Sequence, residues 1–197
     1  MKLGITGGIG SGKTTVCRVF NVLGIPFFSS DAEAKKIMNS DKEIIEKVRS
    51  IAGRDVYSSG SLDRIELARL IFKNENLLKK INKVVHPIVF EHFKLWEKST
   101  SAPYVIMEAA ILIESGASEL VDRIVTVVAP VEERIERVVR RNKLTKDQVL
   151  DRIKNQMEDD EKIRLSDYVI YNSEHQMIIP SILKIHEEIL SLTKTGF

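Results

Sequence analysis

The residues with the clearest chemical potential form a glycine-rich segment near the start of the 197-residue chain. The pattern G-x-x-x-x-G-K-[ST], known as the P-loop, is matched by Gly7-Gly8-Ile9-Gly10-Ser11-Gly12-Lys13-Thr14. Its glycines let backbone N–H groups turn toward phosphate oxygens, and the helix that follows adds partial positive charge. Lys13 reaches the β- and γ-phosphates of a nucleotide, and the Thr14 hydroxyl can ligate Mg²⁺. The segment therefore predicts binding of ATP with magnesium, and its alternative is a glycine-rich turn without a ligand.

Two carboxylates stand where the chain leaves an apolar run. Asp31 follows the segment 26–29, and Glu108 follows the segment 104–107. At the carboxyl edge of a parallel sheet, Asp31 can accept a proton from an attacking hydroxyl, and Glu108 can lie near a metal or its waters. Each has a simpler alternative, which is a helix cap for Asp31 and a solvent-facing strand end for Glu108.

Basic residues supply further candidates. Arg134, Arg137 and Arg141 have the spacing i, i+3 and i+7 and share one face of a predicted helix. Such a face can clamp phosphates, or it can be a solvated surface with i to i+4 ion pairs. His86 is either a substrate-binding group or a structural residue, and the Pro87 that follows it predicts a bend or boundary in its helix.

Five apolar segments have the character of strands that would position these residues. They are residues 3–6, 26–29, 104–107, 123–128 and 168–170. A helix is predicted from about residue 13 to residue 23, with Gly24 as its stop, and helical patterns separate the later segments. This alternation predicts an α/β fold in which helices cover both faces of a parallel sheet, with ligands at the carboxyl ends of the strands.

Two stretches depart from the alternation. Residues 32–99 carry consecutive helical patterns without a strand, which predicts a helical insert. Residues 131–164 break at Asn142-Lys143 and resume at Thr145, which with Gln148 resembles a capping box. We expect this second stretch to be a short lid that closes arginines over the nucleotide and excludes water. The whole chain is interpreted as a single domain, with core segments at about 1–31, 100–130 and 165–197.

The composition excludes several other classes of function. Lys and Arg number 30 against 28 for Asp and Glu, a formal charge of +2, so neither a nucleic acid nor a membrane surface is expected as the main partner. The single Cys17 cannot form an internal disulfide, the first residues lack a secretion signal, and no apolar run suits a membrane-spanning helix. These features predict a cytoplasmic protein and leave open whether it is a monomer or a weak homo-oligomer.

Taken together, the motifs resemble those of the dephospho-CoA kinase family over nearly the whole chain. Beyond the phosphate loop, the resemblance depends on Leu62-Asp63-Arg64, Ile71-Phe72, His86-Pro87, Ile111-Leu112-Ile113-Glu114-Ser115-Gly116, Arg152-Ile153-Lys154-Asn155-Gln156-Met157 and Asp167-Tyr168-Val169-Ile170-Tyr171-Asn172. It implies a P-loop NTPase three-layer fold with a five-stranded parallel sheet, an insert that holds the acceptor, and a lid over ATP. It also implies that ATP phosphorylates the ribose 3'-hydroxyl of dephospho-CoA, the last step of coenzyme A synthesis.

The same resemblance implies roles for individual residues. Asp31 would position or deprotonate the 3'-hydroxyl, while Lys13 and Arg141 would stabilise the transferring phosphoryl group. Nucleotide binding is expected of Gly8, Gly10, Ser11, Gly12, Lys13, Thr14, Thr15, Arg137, Arg141 and Asn172. Acceptor binding is expected of Asp31, Arg64, His86, Glu108, Ile111 and Leu112. Mg²⁺ is expected at Thr14, with its waters held by Asp31 or Glu108.

Several positions differ from the usual pattern of that family. Ser29-Ser30-Asp31 stands for D-A-D, Glu108-Ala109-Ala110 stands for D-V-P, Asn142 replaces an Asp after Arg141, and Tyr171 replaces an Asp before Asn172. The first rival interpretation is another P-loop kinase for a nucleotide or small molecule. The second is a GTPase-like switch, although the chain has no N-K-x-D guanine-reading motif.

Overall fold

The core of the protein is a five-stranded parallel sheet with the strand order β2-β3-β1-β4-β5. The structure, a computed structural model, describes residues 1–57, 60–72, 74–142 and 144–194. The strands are β1 Lys2–Thr6, β2 Phe27–Ser29, β3 Val105–Glu108, β4 Arg123–Val128 and β5 Tyr168–Tyr171. Each lies at one of the five segments with strand character, so the predicted α/β sheet is confirmed.

Alternating side chains of the central strand β1 face opposite sides of the sheet. Leu3 and Ile5 enter an apolar core together with buried residues of the helices Lys13–Val22 and Ile179–Lys194. On the other face, a Cβ at Gly4 would meet the Leu112 side chain, and the Thr6 hydroxyl donates to the Ala110 carbonyl at 3.5 Å. Both faces of the strand are therefore covered, as a parallel sheet requires.

The helices are α1 Lys13–Val22, α2 Ser30–Ser40, α3 Lys42–Ala52, α4 Arg64–Phe72, α5 Glu75–Ser99, α6 Val131–Asn142, α7 Lys146–Lys154, α8 Asp159–Arg164 and α9 Ile179–Lys194. Two compact units contain them. One unit consists of two segments, which end at Ser29 and resume at Trp96, and it contains all five strands of the sheet. The other is Ser30–Leu95, and all regular elements of its described residues are helices. None of the described helices combines the length and apolarity needed to cross a bilayer.

Local signals account for several helix ends. Gly24 follows α1 with φ 85°, a conformation that glycine adopts without strain. The Thr145 hydroxyl accepts from the Gln148 N–H, and the Gln148 side chain accepts from the Thr145 N–H, so the capping box that begins α7 is present.

A bend or a boundary was expected at His86-Pro87; the boundary is absent, so that alternative was wrong, while the bend stays a prediction. Helix α5 runs through Pro87 as one element. Proline removes one backbone donor from a helix, but the surrounding helix buries Ile81, Val85, Val89 and Phe93 along one face. That apolar face stabilises the helix on both sides of the missing hydrogen bond.

Candidate active site

The phosphate loop connects β1 to α1 at the carboxyl end of the sheet. The Lys13 Nζ turns back over the loop and donates to the carbonyls of Gly7 at 2.9 Å and Gly8 at 3.3 Å. The Ser11 N–H donates to the Gly8 carbonyl at 3.1 Å, which closes the turn. The loop is therefore a preformed ring of main chain completed by one ammonium group.

Gly12 is a tightly constrained position of this ring. Its φ of 98° lies in the region that favours glycine, and a Cβ there would overlap the Nδ2 of Asn172. That Nδ2 donates to the Ser11 carbonyl at 2.7 Å, so the segment after β5 braces the loop. A side chain at Gly12 would displace this brace as well as strain the backbone.

Gly12→Ala is expected to abolish measurable Mg-ATP binding, because it displaces Asn172 from the loop. Gly24→Ala is the matched control, since Gly24 also has a positive φ, of 85°, but nothing lies within 4 Å of its Cβ position. Both variants should lose about 1 kcal/mol or more of unfolding free energy from backbone strain. Calorimetric titration with Mg-ATP checks the difference, and equal affinities for the two variants would contradict it.

The loop also holds polar groups that suit a polyphosphate. The Ser11 Oγ is buried and has no hydrogen-bond partner among the described residues, although buried hydroxyls normally have one. A phosphate oxygen would supply that partner. Thr14 and Thr15, at the start of α1, are exposed, which leaves their hydroxyls accessible to a ligand. These residues fit a nucleotide with Mg²⁺ at the Thr14 hydroxyl.

Glu108 ends β3 inside the protein, with only 4% of its surface exposed. Its Oε2 accepts a hydrogen bond from the Ser29 hydroxyl at 2.7 Å, because Ser29 and Glu108 are directly paired in the parallel ladder. The solvent-facing alternative for Glu108 was therefore wrong.

Burial, with a further contribution from the nearby Glu108, raises the pKa of the Cys17 thiol well above its usual range, so Cys17 is not a nucleophile here.

The three arginines of α6 have different surroundings. Arg134 is 3% exposed, and its guanidinium bonds to the Ile9 carbonyl and to Asp159. Arg137 is half-buried and donates to Glu133 and to the Asn172 carbonyl. Arg141 is exposed and donates to the Asn142 side chain. The structure thus separates Arg134, which is enclosed by protein, from Arg137 and Arg141.

The remaining candidates lie on both sides of the division between units. Asp31 is exposed in the first turn of α2, and His86 is half-buried on α5, both in the helical unit. Burial lowers the pKa of His86, and the Asp31 carboxylate opposes that change, so the imidazole is neutral at pH 7. Arg64 begins α4, but its side chain lies outside the described part of the chain.

Ile111 and Leu112 belong to the segment after β3 in the sheet-containing unit. Leu112 is fully buried, with its side chain beside Gly4, and Ile111 is half-buried. The structure thus gives Leu112 a packing role. The acceptor contacts expected of both residues stay a prediction.

An ion pair that the sequence did not reveal joins α8 to the segment after β3. Lys162 of α8 is fully buried, and its Nζ is 3.1 Å from Glu114 Oε1 and 3.5 Å from the Ala110 carbonyl. The same Glu114 oxygen accepts from the Met157 N–H at 3.1 Å. The charged neighbours of Lys162 in the short helix α8 favour an exposed side chain, so no local sequence pattern predicts its burial.

Lys162→Ala is expected to lower the free energy of unfolding by about 3 kcal/mol. This is the low end of the range for breaking a buried pair, since Glu114 keeps some contact with solvent. A double variant, Lys162→Met with Glu114→Gln, should lose much less, because it fills the volume and retains the acceptor for Met157. Urea unfolding measures both, and equal losses would show that the unpaired charge is not the cause.

The all-parallel sheet, the phosphate loop between β1 and α1, and the basic residues of α6 together define a P-loop kinase fold. Sequence comparison with known proteins supports this class. Residues 1–177 match the family model described as Dephospho-CoA kinase. A dephospho-CoA kinase from Bacteroides fragilis is 41% identical over 186 residues, which cover 94% of this chain and 91% of the relative.

Two solved structures extend the comparison. A Thermus thermophilus protein is 32% identical with a TM-score of 0.81, over 97% of this chain and 96% of that protein. A dephospho-CoA kinase from Campylobacter jejuni, 24% identical over the full length of both chains, shares the fold with a TM-score of 0.65. The chain belongs to the dephospho-CoA kinase family. It is therefore a transferase that uses ATP to phosphorylate dephospho-CoA in coenzyme A biosynthesis.

Proposed function

We propose that the protein transfers the γ-phosphoryl group of Mg-ATP to the ribose 3'-hydroxyl of dephospho-CoA by direct in-line attack. The match of residues 1–177 to the family carries the choice of acceptor. The preformed phosphate loop with its unpartnered Ser11 hydroxyl supports the choice of donor. No covalent intermediate is required, because positioning and charge stabilisation account for most catalysis in phosphoryl transfer.

Lys13 is the main cation at the phosphates in this proposal. Before ATP binds, its ammonium rests on the carbonyls of Gly7 and Gly8. This holds the group beside the loop with little reorganisation left to complete. In the reaction, Lys13 stabilises the charge that develops on the γ-phosphoryl oxygens.

The metal site in this proposal uses the Thr14 hydroxyl and a carboxylate at the strand ends. Mg²⁺ would neutralise charge on the phosphate oxygens. Glu108 suits the binding of metal-coordinated waters, since it is buried at the end of β3 and fixed by the Ser29 hydroxyl. Ser29 thus supports the longer Glu108 side chain that stands in place of the family's usual Asp.

Asp31 is the proposed base. Its carboxylate is exposed at the start of α2, which leaves it accessible to an incoming hydroxyl. It accepts the proton of the 3'-hydroxyl as the oxygen attacks, and a nearby neutral His86 helps to hold the acceptor. Arg64 and the helical unit around it complete acceptor binding in this account.

Arg137 and Arg141 supply charge on the lid side, over residues 131–164. Arg137 is anchored by Glu133 and the Asn172 carbonyl, while Arg141 is exposed at the last turn of α6. Their closing over ATP would offset developing charge and exclude water that would otherwise hydrolyse the nucleotide.

The cytoplasmic location predicted from the sequence belongs to the same proposal and suits a buried, unpaired Cys17.

An acceptor panel tests the proposal. The protein is incubated with Mg-ATP and one of dephospho-CoA, AMP, shikimate or gluconate, and ADP release is measured. Of the four acceptors, we expect only dephospho-CoA to cause rapid ADP release. Faster release with any other acceptor would favour a different small-molecule kinase, and preference for GTP without an acceptor would favour a switch protein.

A further inference from the structure

Ile9 at the tip of the phosphate loop is held by side chains from two segments far away in the chain. Its side chain packs against an apolar cluster formed by Ile135, Val138 and Val149 of α6 and α7. Its peptide groups are bonded as well, the N–H on one side and the carbonyl on the other. Ile9 is thus the point where the loop joins the segment 131–164.

The N–H of Ile9 donates to Gln156 Oε1 at 2.8 Å. Gln156 lies in the connection between α7 and α8. The next residue, Met157, is fixed through its own N–H to Glu114, which pairs with the buried Lys162. The acceptor for Ile9 therefore comes from a firmly anchored stretch of chain.

The carbonyl of Ile9 accepts from Arg134 Nε at 2.9 Å. The guanidinium also bonds to Asp159 at 2.7 Å, and it lies so close to Gly8 that a Cβ there would overlap it. The carbonyl of Arg134 would likewise stand 2.5 Å from a Cβ at Gly10. Gly8 and Gly10 are therefore required for the approach of Arg134 as well as for the approach of phosphate.

We propose that Gln156 and Arg134 are positioning residues for the phosphate site, which hold the two peptide groups that flank Ile9 and fix the shape of the loop. The inference rests on the proposed role of this loop as the ATP site. Ile9 directly precedes the Gly10–Thr14 backbone, so rotation of the peptides on either side of Ile9 would turn the amides that face the phosphates. Neither side chain needs to touch the nucleotide.

Gln156→Met tests the grip, because methionine retains the size of glutamine and loses the acceptor. We expect Mg-ATP to bind about tenfold more weakly, the change that corresponds to about 1.4 kcal/mol, one hydrogen bond to a buried group. The KM for ATP should rise by a similar factor, while the KM for dephospho-CoA and the melting temperature change little. Asn155→Ala is the control, since Asn155 is an exposed neighbour.

A second variant, Arg134→Lys, addresses the peptide group between Ile9 and Gly10. Lysine retains the charge but cannot bond to Ile9 and Asp159 together in the same fork. If both residues fix the backbone at Ile9, the double variant should bind Mg-ATP more tightly than the product of the two single effects predicts. A merely structural role would lower the melting temperature and leave the KM for ATP unchanged.

The outcomes separate this inference from the proposed function. A Gln156→Met protein that binds Mg-ATP as the wild type does would overturn the positioning role alone. Strictly multiplicative effects in the double variant would overturn the shared grip on Ile9. A wild-type protein without affinity for Mg-ATP would overturn both proposals.

Discussion

Replacement of Lys13 by alanine should reduce turnover about a thousandfold or more, which is the cost expected for removing a preorganised charge from the transferring group. Lys13 is buried at the phosphate loop, and its ammonium donates to the carbonyls of Gly7 and Gly8. The loss should therefore appear mainly in kcat, with a smaller rise in the KM for ATP.

Two measurements make the Lys13→Ala result interpretable. The melting temperature shows whether the loop still folds once the bonds to Gly7 and Gly8 are lost. Lys154→Ala, which removes an exposed lysine at the end of α7, controls for a change of net charge. Turnover within tenfold of wild type in Lys13→Ala would contradict the assigned role.

Asp31→Asn is expected to reduce kcat by about a hundredfold to ten-thousandfold, the contribution typical of a general base. Asparagine has nearly the same shape but is neutral and cannot take up the proton. Because the role proposed for Asp31 is at the acceptor hydroxyl, ATP binding should be largely retained. Single-turnover kinetics with saturating dephospho-CoA would measure the chemical step itself.

The same variant distinguishes the base from the helix cap. If Asp31 only stabilised the start of α2, Asp31→Asn would lower the melting temperature slightly and leave kcat near its normal value, since asparagine is also a good cap. A large fall in kcat at constant melting temperature supports the catalytic role. Near-normal turnover would remove Asp31 from the mechanism.

Much of the fold could be predicted from the sequence because its signals are local. The phosphate loop, the stop at Gly24 and the capping box at Thr145 each depend on a few neighbouring residues. Apolar runs identified all five strands, because strands that are buried on both faces are nearly continuous in hydrophobicity. The local signal of Pro87 favoured a helix boundary, but the apolar face of α5 outweighs that signal and the helix continues.

The surroundings of the charged residues could not be predicted from the sequence. Helical spacing placed Arg134 with Arg137 and Arg141, yet Arg134 is enclosed by the phosphate loop and Asp159. The pairing of Ser29 with Glu108 depends on the register of β2 against β3, and no sequence pattern specifies that register. Gln156 and Ile9 are 147 positions apart, so only the tertiary structure brings them together.

The central claim is that this phosphate loop delivers the γ-phosphoryl group of ATP to the 3'-hydroxyl of dephospho-CoA. The most direct measurement is mass spectrometry of the product formed from γ-¹⁸O-labelled ATP, Mg²⁺ and dephospho-CoA, followed by digestion with a 3'-specific phosphatase. The account predicts labelled coenzyme A, loss of the label on digestion, and far slower product formation with Lys13→Ala. Unlabelled product, a phosphate at another position, or ADP formed while dephospho-CoA stays unchanged would contradict it.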